Sequence, residues 1–163
     1  MATWTKVAAG AIGALAGRAA YAEGVRAMMR RNTAKMMAGD PGPLLATYHP
    51  DVVMTFPGDS SWGRTYRGRD ELAGFFRRFL DVGLRGELGA IFIEGPPWAT
   101  RIAVEFFDHA DDPATGERIY ENRAVLVMRA RWGRVVAEEV YEDTQKSAAL
   151  DEHLAARAAG AAA

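Results

Sequence analysis

The apolar residues of this chain change their spacing once. Helical intervals dominate up to Val82, and from Glu87 to Asp143 a two-residue period takes over in segments divided by turn signals. Helices first and hairpin-linked strands afterwards predict an α+β domain rather than alternating βαβ units. In the helix expected over Arg69–Val82, Leu72, Phe75, Phe76, Phe79 and Leu80 form one apolar face, while Asp70 and Glu71 precede Arg77 and Arg78 in the order that the helix dipole favours. A mainly antiparallel sheet buries that aromatic face only by curling around it. The expected result is a cone of strongly curved sheet closed by helices, with a small-molecule pocket at its open end.

The remaining elements follow from local signals. A helix is predicted over Tyr21–Ala38, stopped by Gly39-Asp40-Pro41-Gly42, and a short helix over Leu44–Tyr48. Strands are predicted over Val52–Phe56, Glu87–Glu94, Trp98–His109, Arg118–Arg131 and Arg134–Asp143, and Asp59–Gly68 reads as a loop. Ala110–Glu117 is a hairpin loop, Trp132-Gly133 a tight turn, and the Ala-rich chain beyond Thr144 a helix. The domain is expected over residues 21–150, with an Ala/Gly-rich extension over 1–20 and an Ala-rich tail over 151–163. Lys6, the apolar run Val7–Gly17 and Ala20-Tyr21-Ala22 have the outline of an export signal, diluted by glycine and interrupted by Arg18. The other reading is a helical extension on a cytoplasmic protein. The run is too short to span a bilayer.

Composition removes several function classes. The 163 residues suffice for one domain with a substantial core. A formal net charge of −1 offers no basic excess against a phosphate backbone, so nucleic acid is not an expected partner. The absence of cysteine removes disulfides, thiolate nucleophiles and thiolate metal sites. His49, His109 and His153 are far apart, and no metal or cofactor is expected. Ser60-Ser61 lacks a nearby His/Asp constellation, and Gly58, Gly63 and Gly68 are not followed by the Gly-Lys-Ser/Thr of a phosphate loop.

A succession of short motifs resembles a known family. Ala38-Gly39-Asp40, His49-Pro50-Asp51-Val52-Val53, Phe56-Pro57-Gly58 and Tyr66-Arg67-Gly68-Arg69-Asp70 are followed by Val104-Glu105, Tyr120-Glu121-Asn122-Arg123, Gly133-Arg134-Val135 and Tyr141-Glu142-Asp143-Thr144. Their order over Met28–Leu150 resembles the SnoaL-like polyketide cyclase branch of the nuclear-transport-factor-2-like (NTF2-like) superfamily. The resemblance implies the cone fold and, from the dimers common in the superfamily, a homodimer. It leaves the reaction open, because this superfamily hosts cyclases, isomerases, dehydratases, epoxide hydrolases and binding modules. Ketosteroid isomerases of the fold carry an aspartate where Phe56 stands and a tyrosine near Asn32, so both of their roles are missing here. Limonene-epoxide-hydrolase-like enzymes use an Arg-x-Asp pair. Asp108 matches its aspartate, Phe106 stands in place of its arginine, and Asp143 matches the aspartate that ends the last strand. The family's polyketide cyclases use a buried aspartate as general acid/base, for which Asp143 is the best match.

The candidate site follows from strand parity. Glu139, Tyr141 and Asp143 share one face of the last strand, and Glu138, Val140 and Glu142 share the other. If the first face points into the cone, Asp143 is a desolvated general acid/base with Tyr141 beside it. The alternative is that Asp143 caps the C-terminal helix by accepting from the N–H of Gln145 or Lys146. Asn122, with Tyr120 on its face, is expected to orient a substrate oxygen, and Glu105 and His109 share a face as a His–Glu couple. Phe56, Trp62 and Phe75 supply apolar surface for a small, largely apolar ligand. Two functions are expected from this set: cofactor-independent acid/base chemistry (cyclisation, isomerisation, dehydration or hydrolysis) on a polyketide-, terpenoid- or steroid-like substrate, or binding of such a molecule without chemistry.

Overall fold

The structure, a computed structural model, describes residues 2–161, with side-chain surroundings described for residues 17–159. Four helices and six strands follow one another as α1 (Ala2–Met37), α2 (Gly42–Leu45), β1 (Tyr48–Phe56), β2 (Arg64–Arg67), α3 (Gly68–Asp81), β3 (Arg85–Glu94), β4 (Thr100–Asp111), β5 (Arg118–Arg131), β6 (Arg134–Glu142) and α4 (Thr144–Ala161). The strands form one sheet in the order β2-β1-β6-β5-β4-β3. Only β1 and β6 pair in parallel, so the sheet is mixed but mostly antiparallel. The α+β cone expected from the sequence is the fold observed. No helix among the described residues is long and apolar enough to cross a membrane.

The core is the aromatic face of α3 against the inner face of the sheet. Leu72, Phe76 and Phe79 are buried, and the Phe75 ring lies 5.1–5.7 Å from the rings of Phe56, Trp62, Tyr66 and Phe76. Such tilted and edge-on pairs add favourable quadrupole contacts to apolar burial. At the start of α3, the Glu71 carboxylate accepts a hydrogen bond from the Arg67 N–H at 3.1 Å, satisfying an amide at the helix entrance. The β5–β6 connection is a tight hairpin in which Trp132 (φ 51°) and Gly133 (φ 74°) are both left-handed, the backbone that a type I′ turn requires.

Three local expectations are corrected. Tyr48 does not end a helix; it opens β1 opposite Val135, and the β1–β6 register shifts between Tyr48 and Val53. Pro50 lies in that interval and cannot donate to a ladder, so the strand resumes regular pairing only after it. Within the stretch expected as a loop, Arg64–Arg67 pairs with β1 and buries Tyr66. One apolar residue in four carries too little alternation to announce a strand. Finally, the helix expected from Tyr21 is the second half of a 36-residue helix. In that half, Arg26 and Arg30 donate to the carbonyls of Leu88, Gly89 and Ile91 at 3.1–3.2 Å, where the β3–β4 register shifts. The export-signal reading of Val7–Gly17 falls on side chains outside those described.

Candidate functional site

Alternation along β4, β5 and β6 sends even-numbered residues to the concave face of the sheet. There they line a cavity of about 130 Å³ with the inner faces of α1, α3 and α4. Along β5 the lining runs from Tyr120 to Ala130, so the space follows that strand for most of its length. Most of the wall is apolar, and among the described residues no lysine, arginine or histidine belongs to it. Asp108, Glu138 and Glu142 are the carboxyl groups in the wall.

Asp108 and Glu142 approach β5 from its two sides. Asp108 stands opposite Asn122 across the β4–β5 ladder, and Glu142 opposite Ala124 across the β5–β6 ladder. Burial raises the Asp108 carboxyl to about 6, against smaller lowering influences from Tyr120, its own backbone and Lys146. Burial likewise raises Glu142 to about 7, with the nearby negative charges of Asp108 and Asp143 adding to the rise. The Ser147 hydroxyl donates to Glu142 Oε1 from the first turn of α4. Asp108 Oδ1 is buried and has no hydrogen-bond partner among the described residues. The Tyr120 phenol lies beside Asp108, Ser147 and Asn122, and burial pushes its pKa well up, so it stays protonated. The negative charge of Asp108 contributes to the rise at Glu142, and burial is the main cause at both carboxyls.

A second polar point lies elsewhere in the same wall. Tyr48 Oη donates to Glu138 Oε2 at 2.6 Å, both residues being less than 5 % exposed. Desolvation raises Glu138 to about 7 against the lowering effect of the Tyr48 hydrogen bond, and burial together with the Glu138 charge raises Tyr48 well above the ordinary phenol value.

The structure divides the residues expected at the site. Phe56, Trp62, Phe75 and Tyr120 line the cavity. Asn122 is buried behind it, with Nδ2 donating to the Asp143 carbonyl at 3.0 Å, which ties the end of β6 to β5. The parity expected for Glu139, Tyr141 and Asp143 is corrected, because this face points out of the cone. Tyr141 is 56 % exposed and donates to Glu139 Oε2 at 2.7 Å, and Asp143 is exposed, its Oδ1 accepting from the Gln145 N–H at 3.1 Å as a helix cap. Glu105 and His109 share that outer face. Glu105 accepts from Ala90 N–H and pairs with Arg123, contacts that hold its carboxyl below the usual range, and His109 is half-buried. The residues that sequence reasoning passed over are Glu138, Glu142 and Tyr48, with Asp108 noted only as half of an incomplete Arg-x-Asp pair. A signal did exist: Glu138-x-Val140-x-Glu142 is the alternative parity of β6, and its direction follows once Tyr120, Ala124 and Met128 are seen to be the buried set of β5 that lines the cavity.

The family model of the SnoaL-like domain matches residues 30–138. A comparison with curated proteins returned no match. Among solved structures, the chain is similar to an NTF2-like protein of unknown function from Burkholderia pseudomallei (24 % identity, 78 % of this chain and 96 % of that one, TM-score 0.64). It is also similar to TerC co-crystallised with polyporic acid (22 %, 78 % and 97 %, TM-score 0.63) and to a putative polyketide cyclase from Xanthomonas campestris (18 %, 79 % and 97 %, TM-score 0.57). At these identities the likenesses establish the fold alone. With two-thirds of its length matched by the family model and its cone shared with these structures, the chain belongs to the SnoaL-like domain family.

Proposed function

We propose that the protein is an enzyme that binds a neutral, largely apolar carbonyl compound and transfers a proton on it without a cofactor, using Asp108 and Glu142. The observation that carries this reading is the buried and unpartnered Asp108 Oδ1 in the wall of an apolar cavity. A carboxyl held there costs stability unless something else uses it. In the proposed step, ionised Asp108 takes a proton from the carbon next to the substrate carbonyl. The electron pair of that C–H bond becomes the enolate, and protonated Glu142 or the Tyr120 phenol donates a hydrogen bond to its oxygen. Such an enolate can close a ring, move a double bond or expel a β-hydroxyl, which covers the cyclisation, isomerisation and dehydration expected from the sequence but not the hydrolysis. A protein of the same fold, TerC, was co-crystallised with a small organic molecule, polyporic acid, which supports a small-molecule site in this cone.

Turnover of a panel of apolar carbonyl compounds tests the reading, with Asp108→Asn as the control. A bell-shaped pH–rate profile centred between about 6 and 7 is expected for the pair. Binding that survives Asp108→Asn, with no compound turned over by either form, would make the protein a binding module instead. For the assembly we propose a homodimer through the outer face of the sheet. Phe107, Val125, Val127 and Tyr141, between 36 % and 56 % exposed, lie there on adjacent strands.

A further inference from the structure

The carboxyl of Glu138 is not used by the proposed chemistry. It sits in the cavity wall, 4 % exposed, with Tyr48 as its one hydrogen-bond partner among the described residues. A polar pair at such a place is not a general requirement of folding, since buried ion-forming pairs are often replaceable by apolar side chains without loss of stability. Glu138 and Glu142 lie on the same face of β6, separated by Val140, and four residues of strand set their backbones about 13 Å apart at ~3.3 Å per residue. The wall between them is apolar: Val140 on β6, with Leu126 and Met128 on β5.

We infer that the Tyr48–Glu138 pair is a second binding point, which holds an oxygen at the end of the ligand remote from Asp108 and Glu142. The ligand class that fits is a neutral, elongated ring system with a hydroxyl or carbonyl oxygen at both ends. Tyr48 fixes one carboxyl oxygen of Glu138 and leaves the other for the ligand. In its protonated form Glu138 donates to a carbonyl, and in its ionised form it accepts from a hydroxyl. An anionic end group is disfavoured, because the described residues of the wall include no cation to meet it and three carboxyls to repel it. The inference rests on the reading of the cavity as the substrate site, and its test separates the two.

The test is calorimetric titration of the full-length protein with 2-hydroxynaphthalene and with 2,6-dihydroxynaphthalene, whose two oxygens suit two such points. Wild-type protein is expected to bind the diol about tenfold more tightly than the mono-ol, the gain from one additional hydrogen bond in a desolvated site. Glu138→Leu is expected to remove that preference and leave mono-ol affinity within about threefold. Tyr48→Phe, which keeps the ring in the core, is expected to reduce the preference as well and carries the test alone if Glu138→Leu does not fold. A purely structural role for Glu138 would weaken both ligands together and leave their ratio unchanged. If both naphthols bind but the diol preference is absent in wild type or persists in both variants, the second point is overturned and the cavity reading stands. If wild-type protein binds neither naphthol, both readings fall.

Discussion

The two faces of the β4–β5–β6 sheet carry the same kinds of side chain under opposite conditions. Glu138 and Glu139 are neighbours on β6, yet one is buried against Tyr48 and held near 7, while the other is exposed and bonded to an exposed Tyr141. Glu105 on the outer face of β4 is held low by Ala90 N–H and Arg123, whereas Asp108, three residues on and inside, is raised to about 6 by burial. Outside, each carboxylate meets a donor or water. Inside, it meets apolar wall, and the neutral form gains by comparison. What separates a surface acid from a candidate acid/base here is a single step of strand parity.

The comparison breaks most readily at Asp108. Asp108→Asn is expected to lower turnover of any active carbonyl compound by about 10²–10⁴-fold, while Asp143→Asn on the outer face changes it less than about twofold; steady-state rates on the same compound decide. Next in size is a pH effect on stability. The folded-state value of Glu138 is raised from 4.5 to about 7, so the native state binds the extra proton in that window. Its contribution to stability is therefore present below the unfolded value and is lost as pH rises through about 7. Glu138→Gln, which cannot ionise, is expected to gain on wild type by on the order of 3 kcal/mol between pH 4.5 and 8, read from denaturant midpoints across that range. Glu139→Gln outside should show no such gain. On the outer face, Val127→Lys is expected to convert a dimer to a monomer in light scattering while changing unfolding free energy by about 0.5 kcal/mol or less. A wild-type monomer would remove the dimer proposal outright. The smallest effect is Asp143→Ala, expected to cost about 1 kcal/mol through loss of the helix cap and to leave ligand binding unchanged.

How much of this was legible before folding differs from element to element. The aromatic face of α3 was plain because Leu72, Phe75, Phe76 and Phe79 repeat at helical spacing. The hairpin at Trp132-Gly133 was plain because few residues tolerate left-handed backbone. β2 was hidden because four residues with one apolar side chain pair only where a neighbouring strand already exists. The site was half legible: Phe56, Trp62, Phe75 and Tyr120 were expected at the cavity and line it, while Glu139, Tyr141 and Asp143 were expected inside and lie outside.

Local spacing, turn chemistry and the ordered motifs by themselves determined the α+β class, the cone and the family, because those depend on periodicity and on residues with restricted backbone. They also determined that Glu138 and Glu142 share one face of β6 and that Glu139, Tyr141 and Asp143 share the other. Only the tertiary structure decided which of those faces is inside. Both faces of β6 contain carboxylates, so the strand has no clean apolar side to announce its core. The choice is made by its register with β5, whose buried set lines the cavity, and by its parallel pairing with β1, which brings Tyr48 to Glu138 across 90 residues of sequence.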